Sequence, residues 1–149
     1  AAGAGKSAAI TLLWNVSEEP PGSPAPLKCC LTGCWLNDLG SKMWIGNVEA
    51  DGSFSGEYQT AVSSTEKPIK LARLNGSQNK ASTEQPTFGF TVNWDSFSDS
   101  TTVFTGQCFM DEDKQESLQT MWLLREKAEF ATDNWKATTV GTNVFTRVK

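Results

Sequence analysis

The chain has 149 residues, a formal net charge of −4 and no histidine. One domain's length excludes a multidomain enzyme, the acidic balance repels a phosphate backbone and so speaks against a nucleic-acid partner, and the missing imidazole removes the commonest general base and metal ligand. Hydrophobic residues make up 38%, with no run near the roughly 20 apolar residues of a membrane-spanning helix, so no membrane partner is expected.

Residues 1–28 differ in composition from the rest. An apolar patch, Ala8 to Val16, has the character of the tail of a secretory signal, and the stretch from Glu18 to Pro26 is acidic and proline-rich. The segment is read as a flexible signal remnant, tag or linker, and residues 29–149 as the folded domain. In that domain β-branched and aromatic residues cluster in short runs bounded by Gly, Asn, Asp and Ser, and no window keeps a helical apolar period. The runs predict eight strands: Cys29 to Leu36, Met43 to Val48, Phe54 to Thr60, Ile69 to Asn75, Thr87 to Trp94, Thr101 to Met110, Ser117 to Arg125 and Lys136 to Arg147. Most separators are of hairpin length, as in Asn37-Asp38-Leu39-Gly40 and Ala50-Asp51-Gly52. Short turns between consecutive strands imply an all-β fold, an eight-stranded antiparallel up-and-down β-barrel whose interior holds one small ligand. In the fifth run Phe88, Phe90, Val92 and Trp94 share one face, and Thr87, Gly89, Thr91 and Asn93 the other. Both faces carry something to bury, which points to a homo-oligomer.

Five blocks are more specific. Leu31 to Ser41 (LTGCWLNDLGS), Gln85 to Trp94 (QPTFGFTVNW), Ser100 to Phe109 (STTVFTGQCF), Thr120 to Arg125 (TMWLLR), and Trp135 to Thr138 (WKAT) with Val140 to Arg147 (VGTNVFTR) resemble the avidin family over almost all of the chain after residue 28. The resemblance implies the same barrel, a homotetramer, and biotin as ligand rather than cofactor, bound without catalysis.

By that resemblance Asn37, Ser41 and Tyr58 donate to the ureido oxygen of biotin, Thr60 and Asn143 accept from its two N–H groups, and Thr102 lies near its sulfur. Trp94, Phe104 and Trp122 form an aromatic box, with Phe97 beside it. Ser63, Ser64, Thr65, Ser98 and Ser100 fall in the two loops that meet the carboxylate, and Trp135 is lent to a neighbouring subunit's site. Cys29 and Cys108 match the family's intrachain disulfide, which implies an oxidising, secreted, extracellular setting. The chain departs from the familiar vertebrate avidin in being acidic, so binding to polyanions is not carried over. Thr142 stands where a larger apolar residue is expected at a subunit contact.

Read singly, several of these residues have plainer roles. Trp35 is core filling, and Asn37 and Ser41 could serve only the turn they flank. Asn143 is harder to dismiss, because asparagine is depleted in strands and needs partners when buried. Cys30 and Cys34 are extra. If both lay in the first strand their Cα atoms would be about 13 Å apart, beyond disulfide reach, which leaves free thiols or intersubunit bridges. Four cysteines without a C-x-x-C pair give no metal site. Asn15-Val16-Ser17 and Asn75-Gly76-Ser77 are glycosylation sequons. An alternative on the same architecture is a lipocalin-like carrier of another small apolar ligand, against which the polar set speaks, since a lipid carrier would not bury so many hydrogen-bonding groups. An enzyme is not expected: a hydrolase would need a G-x-S-x-G elbow or a histidine, and neither is present.

Overall fold

Eight strands follow one another in a computed structural model that describes residues 28–61, 70–81, 84–96 and 98–149. They are β1 (Gly33–Asn37), β2 (Lys42–Ile45), β3 (Ser53–Gln59), β4 (Leu71–Gln78), β5 (Thr87–Asn93), β6 (Thr101–Met110), β7 (Glu116–Arg125) and β8 (Thr138–Arg147). Each pairs antiparallel with the next, and β8 returns to β1 through Trp35–Arg147, Leu36–Thr146 and Asn37–Phe145, so the sheet closes into a barrel. Closure gives every described strand a neighbour on both sides. The predicted segment 1–28 lies outside the described residues apart from Lys28.

Alternation sets the two faces. In β4, Ala72 and Leu74 are buried while Leu71, Arg73 and Asn75 are exposed; in β5, Phe88, Phe90 and Val92 point inward as the sequence predicts. Inside, Phe88 stacks on Phe90 with centroids 6.1 Å apart, and Phe90 on Phe104 at 4.6 Å. Trp35, Met43, Leu74, Leu118 and Phe145 fill the rest of the core. On the outer face of β6, β7 and β8 the exposed side chains of Val103, Leu123 and Val140 lie directly across from one another, with Met121 opposite Thr142 in the next row.

One end of the barrel is sealed by Arg147. Its guanidinium carbon sits 4.3 Å from the centroid of the buried Trp35 ring, and its Nε and Nη2 donate to the two carboxylate oxygens of Glu116 at 2.8 and 2.9 Å. It also donates to the carbonyls of Thr32 and Cys30. Gly33 makes room: its φ is +136°, and a Cβ there would collide with the guanidinium. The same residue ends the extended run that the sequence predicts from Cys29. The first strand starts at Gly33 because Leu31 turns inward, fully buried, and spends its carbonyl on the Trp35 indole N–H at 2.8 Å.

Other boundaries move less. The strand predicted from Lys136 begins at Thr138, because Ala131–Lys136 form a short 3-10 helix that holds Trp135. The predicted Met43 to Val48 shifts to Lys42–Ile45, and the strand predicted to end at Asn75 runs on to Gln78. Cys29 and Cys108 form the disulfide, with Cα atoms 5.8 Å apart, while Cys30 and Cys34 are free thiols, the first exposed and the second half-buried. Only Cys34 belongs to β1, so the distance expected for two cysteines within one strand does not apply.

Candidate ligand-binding site

Antiparallel order puts the β1–β2, β3–β4, β5–β6 and β7–β8 connections at one rim, opposite the Arg147 seal. Most of the predicted site residues lie at or just inside that rim. Asn37 ends β1, Ser41 precedes β2, Tyr58 lies near the end of β3, Trp94 follows β5, Thr102 and Phe104 start β6, and Trp122 is near the end of β7. Asn143 lies midway along β8, within reach of the β1–β2 turn. Of these, Asn37, Ser41, Tyr58, Trp94, Thr102, Phe104 and Asn143 are buried and Trp122 is half-buried.

The turn from Asn37 to Ser41 does two jobs at once. Asn37 Oδ1 accepts from the backbone N–H of Leu39 (3.0 Å) and of Ser41 (2.8 Å), which is ordinary turn chemistry. Because backbone N–H groups occupy the amide oxygen, the amide nitrogen must face the interior, where it donates to Tyr58 Oη at 3.3 Å. Ser41 Oγ accepts from the Ala61 N–H at 3.1 Å and hydrogen-bonds Tyr58 as well. Three groups able to donate thus converge at one point. Tyr58 is held protonated: burial raises its pKa above the usual phenol value, and the negative Asp38 adds to this, outweighing the hydrogen bonds of Ser41 and Asn37.

Asn143 presents the opposite end of its amide. Its Nδ2 donates to Asp38 Oδ1 at 2.9 Å, and since an ionised carboxylate only accepts, the amide orientation follows from chemistry. Oδ1 is left as the end able to accept from a ligand. Thr60 lies on the same face as Tyr58, half-buried, with its backbone N–H on the Lys70 carbonyl at 3.0 Å.

Aromatic walls surround these polar groups. Tyr58 meets Trp94 edge-on at 5.5 Å, Phe104 at 5.7 Å and Phe145 edge-on at 6.3 Å. The Trp94 indole N–H donates to Thr102 Oγ1 at 2.8 Å, fixing the ring. Phe104 pairs across strands with Trp122, whose indole lies over Gly141 of β8. At the loop after Trp94, Ser98 Oγ and Ser100 Oγ are 2.8 Å apart, the first residue exposed and the second half-buried. Ser63, Ser64, Thr65 and Phe97 lie outside the described residues. Trp135 does not join the cluster: it is 81% exposed in the single chain. Sequence reasoning missed Asp38, Gly141 and Phe145. Asp38 carries no local signal, because its partner is 105 residues away.

Among the described residues, three metal-ligating side chains come together only at Cys29, Cys108 and Glu116. The two sulfurs are bonded to each other and the carboxylate is paired with Arg147, so no ligand set exists there.

Fold and site define a closed up-and-down barrel with fixed polar groups and aromatic rings gathered inside one rim. Comparison with known proteins narrows this class. The Avidin family model matches residues 25–148. Avidin of Gallus gallus is 54% identical over 141 residues, covering 94% of this chain and 91% of avidin. Among solved structures, the crystal structure of Xenavidin has a TM-score of 0.74 at 53% identity, covering 81% of this chain and 99% of that one. The X-ray structure of the biotin binding protein from chicken has a TM-score of 0.74 at 56% identity, with the same coverage. The chain belongs to the avidin family.

Proposed function

We propose that this protein binds biotin, one molecule per chain, inside the rim that carries Asn37, Ser41, Tyr58 and Asn143, and sequesters it without chemical change. The observation that carries this reading is the pair of oppositely held amides: Asn37 shows its N–H to the interior and Asn143 is free to show its C=O. A cyclic urea has one carbonyl oxygen flanked by N–H groups and needs donors and acceptors in that relation. Asn37, Ser41 and Tyr58 supply the donors, and Asn143 and Thr60 the acceptors. Trp94, Phe104 and Trp122 enclose the bicyclic ring, with Thr102 near the sulfur, and each ring surface shed from water contributes roughly 25 cal/mol per Å². Ser98, Ser100, Ser63, Ser64, Thr65 and Phe97 complete the site at the pentanoate end.

Family membership and the relative named as a biotin binding protein support the same ligand. In this reading residues 29–149 are the binding domain, secreted and extracellular, with a glycan at Asn75. The assembly is a homotetramer in which the exposed Trp135 closes a neighbouring subunit's site; the unpartnered Val103, Leu123 and Val140 row is in keeping with subunit contact. The carrier of plain apolar molecules is disfavoured, because the buried amides and phenol would lose their hydration with nothing in the ligand to replace it.

Calorimetric titration with biotin tests the reading. One site per chain and a raised melting temperature are expected. No heat and no thermal shift with excess biotin would refute it.

A further inference from the structure

We infer that Asp38 is a specificity-determining positioning residue: it fixes the Asn143 amide so that the site takes an N–H at that point and refuses an acceptor. The inference rests on the biotin reading and adds to it the origin of the donor–acceptor sense.

An asparagine amide is nearly symmetric in shape, so an unrestrained Asn143 could show either its oxygen or its nitrogen to the interior. Nothing in β8 itself decides between them. The decision comes from a carboxylate in the β1–β2 turn, 2.9 Å from Asn143 Nδ2. A carboxylate accepts only, so it holds the NH₂ end and turns the carbonyl away from itself. Asp38 is placed for this by its own backbone, whose N–H donates to the Val144 carbonyl at 3.2 Å, next to Asn143 in β8. Asn143 is also fixed from behind, its backbone carbonyl accepting from Thr120 Oγ1 at 2.8 Å. Backbone position is therefore set independently of Asp38, and only the sense of the amide depends on it. Because the Asp38 side chain is exposed, its replacement empties no core.

The probes are biotin and its two cyclic carbamate analogues, in which one or the other ureido N–H is replaced by ring oxygen. A site that hydrogen-bonds an N–H rejects an analogue offering an acceptor there, because two acceptors then face each other. One analogue should bind the wild-type protein far more weakly than biotin. In Asp38→Ala the amide is free to turn, and the preference for biotin over that analogue should fall about tenfold or more. Asp38→Asn keeps an oxygen that holds the NH₂ end in one of its two orientations, so its preference should lie between the two. A merely structural role would weaken both ligands alike and leave the ratio unchanged. An Asp38→Ala ratio equal to wild type overturns the inference while leaving biotin binding intact. Wild-type protein that binds neither ligand overturns the biotin reading instead.

Discussion

The indole of Trp122 lies across Gly141, its partner in the neighbouring strand, so closely that a Cβ on Gly141 would collide with the six-membered ring. The glycine is what lets the ring lie flat against the barrel wall. Gly141→Ala is expected to push Trp122 off that wall, a packing change of the kind that costs about 1–3 kcal/mol. It should shift Trp emission and speed biotin release. Emission and release matching wild type would mean that the ring moves aside without consequence.

In the proposed site, Tyr58→Phe and Asn143→Ala would each remove one partner of a biotin group while leaving the other desolvated. Each is expected to weaken biotin by about 1–3 kcal/mol. Because Tyr58 is buried among Trp94, Phe104 and Phe145, the Phe replacement keeps its packing, and the free protein should lose only the stability of the Asn37 hydrogen bond, about 1 kcal/mol in thermal unfolding. Dissociation rates unchanged in both variants would show the ligand to lie elsewhere.

Acid should loosen the sealed end. Burial alone would raise the Glu116 carboxyl, but the Arg147 hydrogen bond, the Cys30 N–H and the Arg147 charge together hold it below the ordinary glutamate value of 4.5. A folded pKa below the unfolded one gives stability that is complete above the unfolded value and is lost as pH falls through the folded one. Melting temperature should therefore drop on acidification below about pH 4.5. Glu116→Gln should be less stable at neutral pH and show a shallower acid limb in thermal melts. An acid limb as steep as wild type would assign the loss to other carboxylates.

Trp135 presents a large ring to water with no partner in its own chain among the described contacts, and a second subunit is the proposed cover. Trp135→Lys is expected to loosen biotin binding and to reduce the stabilisation of the assembly by ligand, read by light scattering with and without biotin. The small polar Thr142 beside Met121 buries less apolar surface than a larger residue would, so Thr142→Ile should strengthen the assembly. A monomer in both conditions would dispose of the shared site.

Cys30 and Cys34 should both react with an alkylating agent in the native protein, Cys30 faster because it is exposed. Cys29 and Cys108 should stay protected until reduction. Their bond spans 79 residues, a loop for which chain entropy gives about 4–5 kcal/mol of stabilisation. Peptide mapping that finds Cys30 joined to Cys34, or to a second chain, would contradict the free-thiol assignment.

The sequence by itself determined the strands and their inward faces. The sixth strand has the predicted bounds, Thr101–Met110, and Phe88, Phe90 and Val92 alternate inward, because a two-residue period is written locally in the order of side chains. Resemblance carried the disulfide and the candidate site residues. It did not carry what those residues face, because that depends on chain segments far apart. Position 33 is a glycine because Arg147, at the other end of the chain, occupies the space a Cβ would need there. Trp122 lies flat because the glycine opposite it belongs to the next strand. The amide of Asn37 is oriented by its own turn and was open to local reasoning, whereas that of Asn143 is oriented by a carboxylate 105 residues away. Hydrogen-bond sense is a property of pairs, and barrel closure, by bringing β8 back against β1, is what forms this pair.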